Sequence, residues 1–262
     1  METGLTNRTA IVAGASQGIG RATARALAAE GVHLALCARN GDALRQLGSE
    51  LVKEFRVTVH TASADVGETG AVNDFVANTI GIFDTIDICV TNGGGPPAKP
   101  FLETTDEEWD SAFRLNLRSA AAFARAVIPH MQRRKWGRII TISSITVRQP
   151  QPELILSNAI RTGVMGLVRS LATDFGPDGI LVNNVAPGYV ATDRVKQLTA
   201  QRAAAGHQTL QEAEKAWVDQ IPVGRLGRPE EIADTIVWLA SERSSFVNGQ
   251  TILVDGGMYK GL

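Results

Sequence analysis

Seven short runs rich in β-branched and apolar residues alternate along the chain with longer segments that are amphipathic or rich in alanine. The short runs predict strands and read, in chain order, RTAIVAG, VHLALCAR, RVTVHTAS, TIDICVTN, GRIITISS, GILVNNVAPG and GQTILVDGG. The longer segments predict helices over residues 19–30, 42–54, 68–80, 106–134, 158–175 and 229–241. Because a helix connects each strand to the next, the pattern favours a parallel sheet covered on both faces. The sequence therefore predicts a doubly wound α/β fold of seven parallel strands.

Composition narrows the class of protein and its partners. The chain has 262 residues, 44% of them hydrophobic, and no linker or shift in composition divides it, so we expect a single domain over residues 1–262. A formal charge of −1 offers no basic excess for nucleic acid. No apolar run approaches the roughly 18 residues of a membrane span, and the opening METGLTNR lacks the apolar core of a signal peptide. We expect a cytoplasmic protein that binds neither nucleic acid nor membrane.

The cysteines and histidines do not predict a metal site. Cys37 and Cys89 each lie inside a strand-like apolar run, which favours buried, reduced thiols over a disulfide. The four histidines are scattered, and none has metal-ligand spacing with another histidine or cysteine. We therefore predict no metal.

One helical segment interrupts the alternation of strands and helices. Residues 193–220 form a long insertion between the sixth strand and the helix that begins after Pro229. Ligands of doubly wound sheets bind beyond the carboxyl ends of the strands, and the insertion leaves from one of those ends. We predict a lid over the substrate; a solvated excursion or an oligomer contact is the alternative.

A glycine-rich turn follows the first strand. In GASQGIG, the glycines are Gly14, Gly18 and Gly20, and a helix begins at about residue 19. Glycine lets the backbone approach a diphosphate closely, and the start of a helix supplies unpaired N–H groups and the positive end of its dipole. Tight turns also need glycine, but the order of strand, glycine turn and helix predicts dinucleotide binding.

The end of the second strand bears on the choice of cofactor. An acidic residue there would bind a free ribose 2′-hydroxyl, whereas the sequence has Arg39, which can pair with a 2′-phosphate. This favours NADP(H) over NAD(H). The alternative is an ordinary solvated arginine, and the glycine loop holds no second basic residue.

Further motifs follow in order: ADV, TNGGG, LNL, GRIITISS, NNVAPGYVAT and the block GRLGRPEEIADTIVWLASERSSFVNGQTILVDGG. Together they resemble the short-chain dehydrogenase/reductase family from the first strand to the last, and the final block is similar to that of 3-oxoacyl-carrier-protein reductases. The resemblance implies a Rossmann-type fold and a small-molecule carbonyl or alcohol substrate. It also implies cofactor contacts at Gly14, Ser16, Gln17, Gly18, Ile19, Gly20, Arg39, Asp65, Val66, Asn92, Gly93, Arg161, Pro187, Gly188, Val190 and Thr192.

Several of these motif positions also have structural interpretations. The glycines at 93–95 would permit close packing, Asn116 would satisfy backbone groups inside a helix, and Asp65 would cap the helix from about residue 67. Such roles do not exclude cofactor contact.

Two catalytic side chains of the resembled family are missing. In that family a serine holds the substrate carbonyl, a tyrosine exchanges a proton with it, and a lysine four residues later lowers the pKa of the tyrosine and holds the nicotinamide ribose. The resemblance places the serine at Ser144 and a structural-catalytic asparagine at Asn116. The family spacing of thirteen residues then falls on Ser157, with Arg161 at the lysine position. An i, i+4 spacing puts Ser157 and Arg161 on one helix face.

The chemistry of the missing pair does not survive the replacement. Arg161 can act as a fixed cation near the ribose, but a guanidinium does not relay protons in the working pH range. The hydroxyl of Ser157 is shorter and less acidic than a phenol, so it cannot replace tyrosine one for one. Tyr189, in the loop expected beside the nicotinamide, is an alternative phenol or a packing residue. Glu153, His207 and an ordered water are further candidates for the proton donor.

These departures are typical of a divergent branch and leave more than one function open. The first hypothesis is an NADP(H)-dependent oxidoreductase that interconverts a ketone, with a 3-oxoacyl group as one candidate, and a secondary alcohol. Ser144 and Asn116 would be retained, and the proton donor would be unconventional. The alternative is a regulatory or scaffolding protein that binds the cofactor without hydride transfer, and a third is elimination or isomerisation in the same pocket. The resemblance implies a homotetramer, or a homodimer, built on paired long helices, and the small residues of 119–126 would permit close helix packing.

Overall fold

A computed structural model of the chain describes residues 2–261. Within these residues, one sheet of seven parallel strands has the order β3-β2-β1-β4-β5-β6-β7. The strands are β1 (Thr9–Ala13), β2 (His33–Ala38), β3 (Val59–Ser63), β4 (Ile88–Asn92), β5 (Gly137–Ile142), β6 (Ile180–Pro187) and β7 (Thr251–Val254). All seven strands were predicted from the alternation, and the Rossmann-type doubly wound sheet is confirmed.

The helices cover both faces of the sheet. They are α1 (Gly18–Ala29), α2 (Gly41–Phe55), α3 (Thr69–Phe83), α4 (Asp106–Ala112), α5 (Ser119–Arg134), α6 (Ile155–Phe175), α7 (Asp193–Ala205), α8 (Leu210–Val218) and α9 (Pro229–Ala240). No helix in the described range is long and apolar enough to cross a membrane.

Two apolar layers form because successive strand residues point to opposite faces. Ala10 and Val12 of β1 pack with residues of α1, α2 and α9, whereas Ile11 and Ala13 pack with residues of α3, α5 and α6. Every residue of β1 is buried. A strand buried on both faces needs a continuous apolar run, which explains why the strand candidates read as they do.

The predicted helix over residues 106–134 is interrupted. A π-helical segment, Phe113–Arg118, separates α4 from α5 and contains Asn116. The small residues of 119–126 are mostly buried inside the chain, where they pack beneath the sheet. Packing within the chain accounts for the small size of Ala122 and Ala124.

The insertion at 193–220 forms two helices, α7 and α8, rather than one. Thr209 begins α8 with reciprocal capping: its hydroxyl accepts from Glu212 N at 3.2 Å, and its N–H donates to Glu212 Oε2 at 2.8 Å. The insertion packs on the loop after β6 through Trp217, whose ring centroid is 4.4 Å from that of Tyr189.

Cys37 and Cys89 are buried free thiols, as predicted. Burial raises the pKa of Cys37 to about 12 and also raises the pKa of Cys89. Both stay protonated at neutral pH, which makes them unreactive.

The order of the strands fixes where a ligand binds. β1 pairs with β2 on one side and β4 on the other, so the connections leave the carboxyl ends of β1 and β4 in opposite directions. Such a switch point opens a crevice between the two loops. The glycine turn after β1 and the 93–97 loop after β4 lie on its two sides.

Candidate active site

A cavity of about 440 Å³ opens at this switch point. Residues predicted as catalytic or cofactor-binding that line it are Gly14, Ser16, Gln17, Gly18, Ile19, Arg39, Asp65, Val66, Asn92, Gly93, Ser144, Ser157, Arg161, Pro187, Gly188, Val190 and Thr192. The two that do not line it are Gly20 and Asn116. A single cavity therefore joins the glycine turn to the position of the missing tyrosine.

The glycine turn has the conformation that its residues allow. Gly14 and Gly18 have φ values of 64° and 54°, in the left-handed region that favours glycine. Gly20 has a packing role as well as the predicted one: a Cβ there would clash with the carbonyl oxygen of Gly14. It permits the start of α1 to pack against the turn and does not face the cavity.

The start of α1 offers unpaired N–H groups to the cavity. Gln17 is the N-cap residue, but its side chain accepts no hydrogen bond from the helix, and the first turn contains no acidic residue. N–H groups without an internal acceptor at a helix start form a site for an anion. The turn and the helix thus fit the diphosphate of a dinucleotide.

The far end of the cavity holds Arg39 and Asp65. Arg39 is exposed at the end of β2. Asp65 Oδ1 accepts from Gly67 N at 2.9 Å, while α3 begins two residues later, with Glu68 at its N-cap. Asp65 therefore stabilises the turn before the helix rather than capping a helix at residue 67.

Three hydroxyl groups lie together at the opposite end. Ser144 Oγ accepts from Thr146 N at 3.2 Å, and Thr146 Oγ1 lies 3.1 Å from Ser157 Oγ. Ser157 is 7% exposed and Thr146 is 2% exposed. The sequence reasoning missed Thr146, because its partner is on a different element, eleven residues further along the chain.

Arg161 follows Ser157 on the same face of α6, as the spacing predicted, and is equally buried. Its Nη1 donates to the carbonyls of Ser143 at 2.7 Å and Ile142 at 3.2 Å. Its Nη2 donates to Gly93 O at 3.1 Å and Gly94 O at 3.4 Å. The guanidinium therefore ties the end of β5 to the loop after β4.

The charge of Arg161 persists despite its burial. Desolvation and the neighbouring Arg194 lower its pKa to about 10, which still leaves the guanidinium protonated at neutral pH. Its Nε is buried without a hydrogen-bond partner among the described residues. The side chain is a fixed cation in the cavity wall.

Asn116 lies behind the cavity wall. Its Nδ2 donates to Ala112 O at 3.1 Å, and its Oδ1 would be 3.2 Å from a Cβ on Gly93. The neighbouring Leu115 lines the cavity instead. In this arrangement the Asn116 side chain satisfies a backbone carbonyl inside a helix, which is the structural role that the sequence suggested for it.

Tyr189 lines the cavity but is 7% exposed, and its hydroxyl donates to Gln151 Oε1 at 3.3 Å. Burial raises its pKa to about 12, so the phenol holds its proton more tightly than a free tyrosine does. A group so far from neutral pH is poorly matched to proton transfer. Glu153 and His207 are exposed and lie outside the cavity wall.

Comparisons with known proteins find relatives along nearly the whole chain. The family model for enoyl-(acyl carrier protein) reductase matches residues 14–259. The 3-oxoacyl-(acyl-carrier-protein) reductase FabG of Aquifex aeolicus is 30% identical over 99% of this chain and 100% of its own length. That of Chlamydia trachomatis is 34% identical over 97% and 98%.

Solved structures are also similar over the whole chain. L-sorbose reductase from Gluconobacter frateurii, complexed with NADPH and L-sorbose, has a TM-score of 0.95 and 32% identity, covering 100% of both chains. An NADPH-bound short chain oxidoreductase from Pseudomonas aeruginosa PAO1, which contains an atypical catalytic center, has a TM-score of 0.86 and 33% identity, covering 98% of this chain and 100% of that one. With the fold, the site and relatives aligned along nearly their full length, the chain belongs to the short-chain dehydrogenase/reductase family.

Proposed function

We propose that this oxidoreductase family member interconverts a ketone and a secondary alcohol with NADP(H) and without a tyrosine phenol. The observation that carries the proposal is the single cavity that joins the glycine turn, Arg39 and the hydroxyl groups of Ser144 and Ser157. The NADPH in the similar reductase structures supports the choice of cofactor.

The cavity wall fits a nicotinamide cofactor, and each end has its own role. When bound, that cofactor would supply or accept the hydride. The α1 start and the turn at Gly14 and Gly18 would hold the diphosphate, and Arg39 would pair with the ribose 2′-phosphate. Arg161 would contribute positive charge near the nicotinamide ribose.

The reacting oxygen would be served by hydroxyl groups and a fixed charge. Ser144 would donate a hydrogen bond to the carbonyl oxygen, and the buried cation of Arg161 would stabilise negative charge that develops there. Because the Ser157 hydroxyl is already hydrogen-bonded to Thr146, we assign the proton to a water held between Ser144 and Ser157, whose pKa the nearby positive charge of Arg161 would lower. Helices α7 and α8 would form the lid that excludes bulk water.

Steady-state oxidation of NADPH across a panel of cyclic and linear ketones tests this function. We expect measurable turnover of at least one ketone, and Ser144→Ala should lower kcat about 10²-fold, as the loss of one donor to a developing oxyanion does. NADPH binding without turnover of any ketone would instead favour a regulatory or scaffolding role.

A change at Arg39 tests the choice of cofactor. We expect the parent protein to bind NADPH about tenfold more tightly than NADH and Arg39→Asp to bind NADH more tightly than NADPH. A carboxylate repels the 2′-phosphate and accepts a hydrogen bond from a free 2′-hydroxyl. Titration of nicotinamide fluorescence measures both affinities. The matched control is Arg45→Asp, the same change on the exposed face of α2, outside the cavity wall. Equal affinities for the two cofactors in the parent protein would remove the role of Arg39.

A further inference from the structure

Two arginines on different helices donate hydrogen bonds to the loop after β4. Arg161 of α6 donates to the carbonyls of Gly93 and Gly94, and Arg194 in the first turn of α7 donates to that of Pro96. Both side chains line the cavity at the end that holds Ser144. The 93–97 loop therefore brings two guanidinium groups to the proposed substrate end.

Gly95 creates the space that Arg194 occupies. A Cβ on Gly95 would lie 2.5 Å from Arg194 Nε and 3.0 Å from its Cζ, so the guanidinium lies directly against the glycine backbone. Any other residue at 95 would push the guanidinium away. The glycine run of the loop thus has a local reason that its sequence alone does not reveal.

The charge of these two arginines is not neutralised. The ion pairs formed within residues 2–261 include neither Arg161 nor Arg194. The carboxylates in the cavity wall are Asp65, which holds the turn before α3, and Asp193, which pairs with Lys196 at 3.1 Å. Unpaired charge removed from water is costly, so an anion at this end would be stabilised.

The two arginines differ in what they can still bind. Arg161 gives four hydrogen bonds to backbone carbonyls, and the end of β5 and the loop after β4 fix its geometry. Arg194 gives a single hydrogen bond within the described chain, to Pro96 O, and is only half-buried. A guanidinium with free N–H groups can bind a carboxylate through two parallel hydrogen bonds.

We propose that Arg194 binds a carboxylate of the substrate, which makes the substrate an oxo acid and the product the corresponding hydroxy acid. The inference rests on the proposed function and specifies its substrate class. Arg161 adds long-range attraction from the other side of the loop without contacting the carboxylate. Because Arg194 lies in the first turn of α7, its positive charge would then hold the lid against the substrate.

Matched pairs of probes test the carboxylate directly. Calorimetric titration compares 2-oxobutanoate, 2-oxohexanoate and 2-oxooctanoate with their primary amides, with the full chain both saturated with NADP⁺ and free of cofactor. We expect at least one acid to bind about tenfold or more tightly than its amide, the effect of one desolvated charge-assisted pair. Arg194→Ala should bring the ratio of acid to amide affinity to within about threefold. Arg194→Lys should leave this ratio intermediate, because lysine keeps the positive charge but not the planar pair of N–H donors.

A second variant acts on the same contact without removing the arginine. Gly95→Ala should also lower the acid-to-amide ratio, because its Cβ displaces the guanidinium, a flexible group that can move without unfolding the chain. Combining it with Arg194→Ala should add little, since both changes remove one interaction. The matched control is Lys215→Ala, which removes a positive charge from α8 where Lys215 pairs with Asp219; it should leave the ratio unchanged.

Three results would overturn the inference. The first is that no acid of the series binds more tightly than its amide, including the case in which only dihydroxyacetone phosphate is preferred over dihydroxyacetone. The second is that the preference survives Arg194→Ala. The third is that Arg194→Ala weakens NADPH binding while the acid-to-amide ratio in the cofactor-free protein stays at the parent value, which would assign Arg194 to the cofactor diphosphate.

The proposed function fails in a different way. Turnover of neutral ketones without preference for acids would refute the carboxylate site but not the oxidoreductase function. Arg194-dependent binding of an acid without any NADPH oxidation would refute the oxidoreductase function but not the carboxylate site.

Discussion

The double variant Ser157→Tyr, Arg161→Lys is expected to raise NADPH-dependent ketone reduction about 10²–10⁴-fold, the usual contribution of general acid–base catalysis. Both positions lie on one face of α6 and line the cavity with Ser144, so a phenol and an ammonium introduced there enter the same space. A phenol near a lysine has a lowered pKa and can give its proton to the carbonyl oxygen. Initial rates with the most active ketone of the panel measure the gain.

Two controls separate chemistry from folding. Adding Ser144→Ala should remove the gain, because the phenol would then act on a carbonyl that is no longer held. Lysine cannot donate to the four carbonyls that Arg161 holds, so thermal unfolding must be measured alongside, and Arg161→Lys alone should lower the free energy of unfolding by about 1–3 kcal/mol. A stable double variant that binds NADPH without faster turnover would contradict the proposed placement of the carbonyl.

Ser157→Ala gives the converse test. It should leave cofactor affinity and most native turnover intact, because Ser144 would still hold the water and the positive charge of Arg161 would still lower its pKa. Loss of a substantial native activity from a folded, cofactor-loaded variant would make Ser157 a proton donor or relay in its own right.

The sequence predicted the sheet because local signals agreed with one another. Apolar runs of strand length alternated with helical segments, and no strand required a partner from outside that alternation. Most of the positions singled out from the sequence line one cavity, because parallel strands bring the residues that follow them to the same edge. Their order in the chain therefore reflects their proximity in space.

What the sequence could not predict depends on contacts between distant residues. Arg161 was expected near a ribose, but the carbonyls it holds lie 19 and 68 residues away along the chain. The space for Arg194 depends on Gly95, and neither residue has a local pattern that indicates the other. Backbone carbonyls carry no sequence signature, so a side chain that binds them cannot be recognised from residue types.

Local interruptions were missed for another reason. The π-helical segment Phe113–Arg118 preserves the apolar spacing of a continuous helix closely enough to be hidden within residues 106–134. The break before Leu210 had a signal in Thr209 and Glu212, which have the spacing of a capping box. That pattern predicts a helix start and would have divided the insertion correctly.

Gly18→Val should reduce NADPH affinity by about 100-fold or more while the chain remains folded. Valine disfavours the left-handed backbone conformation of the turn, and its side chain would fill space that the diphosphate needs. Gly18 has a φ of 54°, and its added Cβ would lie 3.3 Å from Thr192 Cγ2 across the cavity. A β-branched side chain in this left-handed conformation should lower the free energy of unfolding by about 1–2 kcal/mol.

The matched control is Gly70→Val, the same substitution in the first turn of α3, where a Cβ has nothing within 4 Å and φ is not positive. Fluorescence titration with NADPH gives the affinity, and circular dichroism during heating gives the stability of both variants. Gly70→Val should bind NADPH like the parent, whereas Gly18→Val should not, even at temperatures where both are fully folded. If Gly18→Val bound NADPH as tightly as the parent, the diphosphate would not lie on the glycine turn, and the assignment of the whole cavity to a dinucleotide would be wrong.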